Sequence, residues 1–199
     1  MGKNKKSTVT LEDYVYGKEN VEVDSNEEYY VYHWIMEAYV AGIVKEYEYQ
    51  PKEFLLTDKF KYIPAFGNPK QKEKHLLADH VYTADFRIVF NRSFGEKLSE
   101  YFKIPLEAID ANGDAVVYID VKGGFNRFAG DRNFSIHQKM VWDKYKIYVQ
   151  KVVPEELFKK LGAPDAAKYT IKTKKPTAKY AVGSKNVKET FIGSESGSQ

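Results

Sequence analysis

Two aspartates and a lysine carry the chemistry this sequence is equipped to do. Asp85 lies in Tyr82-Thr83-Ala84-Asp85-Phe86, and Asp120 and Lys122 lie in Ile119-Asp120-Val121-Lys122-Gly123. Both runs are rich in β-formers. On a strand, residues two apart share a face, so the Asp120 carboxylate and the Lys122 ammonium project together while Ile119 and Val121 point into a core. Desolvating a carboxylate and an ammonium side by side is expensive, which marks the pair as functional. Asp85 and Asp120 would offer hard oxygen ligands to Mg²⁺ or Mn²⁺, with waters and a phosphate oxygen completing the octahedron. Such an ion polarises a phosphodiester and lowers the pKa of a bound water. Lys122 would orient or deprotonate that water and offset the developing charge. The expected chemistry is metal-dependent phosphodiester hydrolysis.

The elements that must position these groups read as follows. Ser25, with Glu28 three residues on, forms a capping-box pattern. Behind it, Tyr32, Ile35, Met36, Tyr39, Val40 and Ile43 recur near the 3.6 period through Val44, with Gly42 at the fraying end. Residues 45–63 predict one or two strands broken by Pro51, and 64–75 a loop. Residues 80–90 and 115–122 predict strong strands, the second stopped by Gly123-Gly124. Between them, residues 91–114 form an excursion with a charged, amphipathic stretch and an Asn112-Gly113 turn. Asp110 and Asp114 read as turn residues. Ser135 is expected to cap a helix to about Tyr145, followed by a strand over 146–153 and a short helix from Glu155 to Leu161, closed by Gly162. The order is a three-layer α/β pattern with a mixed β-sheet flanked by helices.

Composition bounds the rest. The chain has 199 residues, 43% hydrophobic and 30% charged, as expected of one folded domain with extensions. It has no cysteine, which excludes a disulfide scaffold, a thiolate metal site and a cysteine nucleophile. No apolar run reaches the roughly 20 residues of a membrane span, so no membrane partner is expected. Of the four histidines, His33, His75, His80 and His137, no two have metal-ligand spacing, and no zinc site is expected. His33 reads as a packing residue, and His80 opens the strand that leads to Asp85. The net charge of +3 is unevenly spread: residues 166–199 carry +5 and residues 1–10 carry +3, leaving −5 for residues 11–165. An acidic centre with basic ends suits contact with a polyanion. The expected organisation is an N-terminal arm (1–24), a domain (25–165) and a Lys-rich C-terminal arm (166–199). Arg127, Arg132, Lys172, Lys174 and Lys175 are candidate phosphate contacts.

On these residues the chain resembles the PD-(D/E)xK nuclease superfamily. Asp85 matches its metal aspartate and Asp120-Val121-Lys122 its acid-x-Lys element. The resemblance extends to a phage-encoded branch of resolvase-like and endonuclease-like proteins. It rests on Ser25 and Glu28, Gly42-Ile43, Gln50-Pro51, Tyr82 to Phe86, Asp120 to Gly123, Gln138-Lys139 and Tyr148 to Pro154. It spans roughly residues 25–165 and neither arm. It implies a restriction-endonuclease-like core and a third acid from the first helix, Glu28 or its neighbour Glu27. It further implies that Gln138, four residues before Trp142 on one helical face, helps position the metal or the substrate backbone.

The expected function is therefore a Mg²⁺- or Mn²⁺-dependent DNA endonuclease or junction-resolving nuclease of phage type, working in the cytoplasm of an infected bacterium. Its catalytic set is Asp85, Asp120, Lys122, Glu28 and Gln138, with Asp85, Asp120 and Glu28 on the metal. The competing expectation is a virion structural or connector protein in a portal-tail ring, built on the same fold with arms held by neighbouring subunits. A weaker third is a DNA-binding module without cleavage.

Overall fold

The computed structural model describes residues 7–10, 20–66, 72–123, 129–168 and 185–193. The chain runs β1 (Ser7–Thr10), β2 (Asn20–Val23), α1 (Asn26–Val40), β3 (Val44–Tyr49), β4 (Phe54–Thr57), β5 (Phe60–Tyr62), β6 (Lys74–Leu77), β7 (His80–Tyr82) and β8 (Phe86–Phe90). It continues with α2 (Gly95–Leu98), β9 (Ala115–Val121), α3 (Ala129–Tyr145), β10 (Val149–Val152), α4 (Pro154–Leu161) and α5 (Val187–Ile192). The central sheet has four strands in the order β10-β9-β8-β3. β8 pairs antiparallel with β3 and β9, and β10 runs parallel to β9 through the α3 crossover. The fold is a mixed sheet flanked by helices, as its element order implies.

Alternation along β9 builds the two sides of the sheet. Ala115, Val117, Ile119 and Val121 join one apolar cluster with α1 and α4. Val116 and Tyr118 join a second cluster with Phe134 and Val141 of α3 and Phe54 and Leu56 of β4. The sequence assigns Ile119 and Val121 to the core, and that is where they lie. Asp120 and Lys122 belong by alternation to the α3 face.

α1 starts where its cap dictates: the Ser25 hydroxyl accepts the Glu28 N–H, and Glu27 and Glu28 place negative charge in the first turn. It ends at Val40, before Gly42 with φ 73°. An apolar stripe would bury one side, but every residue from Glu28 to Met36 is buried. A helix covered nearly all round is a central one, and α1 packs on the sheet, on α4 and on α5. His33 is buried against the Tyr29 ring, a packing residue as its surroundings in sequence suggest.

Several expectations need correction. Residues 80–90 are not one strand. The chain bends at Thr83–Asp85, so that β7 pairs with β4 outside the central sheet while β8 stays in it. Residues 45–63 give three strands, and β5 and β6 form a separate ribbon flanking the loop. α3 begins at Ala129, so Ser135 lies inside the helix and caps nothing. The 91–114 excursion does not disturb the sheet, because β8 and β9 keep one unbroken register from Phe86↔Ile119 to Phe90↔Ala115. Asp110 is a turn residue, accepting the N–H groups of Asn112 and Asp114. Asp114 does more: buried, it binds the Lys45 ammonium at 2.6 Å and the Arg92 N–H at 3.0 Å, tying the excursion to β3. Packing also continues past residue 165. Val187 is buried, Phe191 meets the Phe94 ring edge-on, and the Ala163 N–H donates to the Lys185 carbonyl.

Candidate active site

The β8–β9 register decides the site. Continued by one residue beyond Phe86↔Ile119, it sets Asp85 opposite Asp120. Cross-strand neighbours share a face at Cβ separations of roughly 5 Å. The bend at Thr83–Asp85 does not detach Asp85. Its N–H donates to the Ile119 carbonyl, its own carbonyl accepts the Gln50 N–H, and its Oδ2 accepts the Val121 N–H at 2.6 Å. Asp120, 4% exposed, accepts the Tyr82 hydroxyl on Oδ2 at 2.8 Å and meets the Lys122 ammonium at Oδ1. The backbone of Lys122 is fixed too, its N–H donating to the Val152 carbonyl of β10.

The first turn of α1 adds the third acid. Glu28 is buried and held by three donors: the Ser25 hydroxyl at 2.7 Å, the Tyr49 hydroxyl at 2.9 Å and the Asp24 N–H at 3.3 Å. Its charge acts on both Asp85 and Lys122. Glu27 stands elsewhere in the same turn, its carboxylate over Gly123, where a Cβ would come within 3.4 Å of Oε1. Glu28 is therefore the buried member of the charge cluster and Glu27 the half-exposed one beside the glycine.

The electrostatics follow from this crowding. Burial raises the Asp85 carboxyl to about 8, with the Asp120 and Glu28 charges adding to the rise. Burial works to strip the proton from Lys122, but the Asp120, Asp85 and Glu28 carboxylates outweigh it and hold the ammonium above its ordinary range. Lys122 is thus a fixed cation, which favours orienting a water or a phosphate oxygen over deprotonating one. Burial, then the Asp120 charge and hydrogen bond, also push the Tyr82 phenol upward, so Tyr82 stays a donor to Asp120.

Among the described residues, no group of three or more acidic or histidine side chains converges as a ready-made metal cage. Mg²⁺ does not require one, since it is usually held by one or two carboxylates together with waters and substrate phosphates. Asp85 and Asp120 are a fitting donor pair. Burial first and then the Asp120 and Glu28 charges raise the Asp85 carboxyl, and a dication there would offset the share that those charges contribute.

Gln138 does not join this cluster. Its amide nitrogen donates to the Val149 carbonyl at 2.6 Å, and the side chain lines a pocket together with Trp142. His137 lies against the Tyr82 ring at 5.2 Å, close enough to sense Asp120 and Lys122, and its Nε2 is 2.9 Å from Nε2 of His80. Burial and then the neighbouring His80 lower the His137 pKa. Sequence spacing could not find this pair, because 57 residues separate its members. Its trace is only that His80 heads the strand leading to Tyr82 and Asp85. Arg132 is exposed on α3. Arg127, Lys172, Lys174 and Lys175 lie outside the described residues.

Comparisons with protein-family models, with curated proteins and with solved structures return no match to this chain.

Proposed function

We propose that this chain is a metal-dependent DNA nuclease, an endonuclease or junction-resolving enzyme of the PD-(D/E)xK type encoded by a phage. The observation that carries the reading is the set Asp85, Asp120 and Lys122, gathered at the end of two paired strands with Glu28 beside them. The mixed sheet, with α1 on one face and α3 on the other, suits a restriction-endonuclease-like core. Asp85 and Asp120 would hold Mg²⁺ or Mn²⁺. When bound, that ion would polarise the scissile phosphate and acidify a water. Tyr82 fixes the Asp120 carboxylate through its hydroxyl, and the Lys122 ammonium orients the water and offsets charge on the phosphate. Basic residues at the chain ends, with Arg127 and Arg132, would hold the phosphate backbone without reading bases. Gln138, as placed, supports the α3–β10 junction and has no step in this scheme.

The test is cleavage of branched and linear DNA with Mg²⁺, Mn²⁺ or EDTA. Cutting is expected with the metals and not with EDTA, and Lys122→Ala should lower the rate by about 10²-fold or more. A folded protein that cuts none of these substrates overturns the reading.

One observation favours the particle-component alternative. The β5–β6 ribbon exposes Phe60, Tyr62, Leu76 and Leu77, and the adjoining Phe66 is 92% exposed. Apolar surface of this kind marks an interaction site, and a two-stranded ribbon is marginal on its own. Light scattering that gives a ring-sized mass, together with no cleavage, would carry that reading instead.

A further inference from the structure

α3 turns different residues to different tasks. His137 lies against Tyr82 and His80, while Gln138, Lys139 and Trp142 line an open-sided pocket of about 590 Å³. Lys103, Ile104 and Pro105 from the excursion and Tyr148 at the entry to β10 complete its wall. The volume lies in the range of small-molecule sites, roughly 300–1,000 Å³.

The lining chemistry narrows the occupant. Trp142 and Tyr148 are half-buried, and among the described residues neither ring stacks on another. Elsewhere the aromatic side chains pack in pairs, as Phe54 does with Tyr145 and Trp34 with Phe90. Lys103 and Lys139 are exposed, and neither ammonium has an acidic partner among the described residues. Ile104 and Pro105 add aliphatic walls, and the Gln138 amide is locked by its bond to Val149. An inorganic anion would leave the two rings unused, and a neutral aromatic would leave the two ammoniums unused. A planar heterocycle carrying negative charge uses both. A base stacks on an aromatic side chain whatever its identity, because every base has a π-face, and lysine is a point-charge partner for phosphate.

We propose that this pocket binds a nucleotide, with its base against Trp142 and Tyr148 and its phosphate at Lys103 and Lys139. The same chemistry comes from a free mononucleotide or from one unit of a single strand. The proposal does not depend on whether the carboxylate cluster cleaves.

The chain has two tryptophans, and Trp34 is fully buried in the core, so a ligand in the pocket reports through Trp142. The full chain in EDTA would be titrated with AMP, with dTMP and with a ten-residue oligo-dT, reading tryptophan emission. A saturable change is expected, weakened at least tenfold in Lys103→Gln/Lys139→Gln and in Tyr148→Ala. The two lysine substitutions are at exposed positions and keep Trp142 as the reporter. Saturation by the mononucleotides identifies a free-nucleotide site, and saturation by the oligonucleotide alone identifies a strand subsite. No saturable change with any of the three overturns the proposal. So does an unchanged affinity in the lysine variant, since binding then lies elsewhere. Because EDTA silences cleavage, failure here leaves the nuclease reading standing, and failure of cleavage leaves this one standing.

Discussion

Asp85 carries the sharpest consequence of its surroundings. An unfolded chain gives up this proton near 3.8, whereas burial and two neighbouring carboxylates hold it to about 8 in the folded protein. Folding therefore takes up a proton between those values. The stability this group contributes is complete below about pH 4 and is lost as pH rises through about 8. In EDTA, the melting temperature is expected to fall across that window and Asp85→Asn to flatten the fall, with the variant melting above the parent at pH 9. Each kcal/mol corresponds to roughly 2–4 °C for a chain of this size. Mg²⁺ should raise the parent's melting temperature at pH 9 and leave the variant's unchanged; parallel pH curves for the two proteins would contradict this account. Tyr82→Phe tests a different contact. It removes the hydroxyl that Asp120 Oδ2 accepts and leaves a buried carboxylate short of a donor. The expected result is a drop in kcat of about tenfold with DNA affinity little changed, and a loss of about 1–3 kcal/mol in stability. An effect on affinity alone would move Tyr82 from positioning Asp120 to binding substrate.

At the scale of elements, the bend between β7 and β8 matters most. A straight strand over 80–90 would carry Tyr82 away in the plane of the sheet. The bend lets β7 leave for β4 and swings the Tyr82 hydroxyl back onto Asp120. Period-two reading cannot see such a break, because the β-forming residues run through it without interruption; the partner strands decide it. α5 is a second case. Its sequence is Lys- and Ser-flanked and looks like a tail, yet Asn186 caps it with a full capping box and Val187 is buried. The junction depends on Gly162, at φ 87°, where a Cβ would sit 2.6 Å from the Asn186 carbonyl oxygen. Gly162→Ala would add both a disfavoured backbone conformation and a clash with main chain. The expected cost is about 2–4 kcal/mol, read as a lower melting temperature and faster tryptic cutting at Lys185 and Lys188. Unchanged stability would mean that α5 does not dock on this glycine.

At the scale of the molecule, the separation of charge governs how a polyanion would be met. The centre is net negative and holds the carboxylates, while the net positive charge lies toward the ends of the sequence. Binding through such ends weakens with salt, because each phosphate neutralised releases counterions. Replacing Lys172, Lys174 and Lys175 by Gln should make the slope of log affinity against log salt shallower by roughly one for each contact removed. It should weaken binding to all DNA sequences alike. An unchanged slope in anisotropy titrations would show that these lysines do not touch the backbone.

The sequence by itself determined the strand that carries Asp120, the shared face of Asp120 and Lys122, the cap of α1 at Ser25 and the mixed α/β class. Each of these is local: a two-residue period, a capping pattern or an element order. Tertiary structure alone decided what depends on pairing between distant segments. The register that sets Asp85 opposite Asp120 spans an excursion of 24 residues in the sequence reading, and only the ladder from Phe86 to Phe90 fixes it. Which of Glu27 and Glu28 is the buried carboxylate turned on which of them Tyr49 reaches from β3. That His137 lies against Tyr82 while Gln138 turns to Val149 follows from the rotation of α3. Side-chain direction on a helix follows from what the helix packs against, and the chain supplies that only once it is folded.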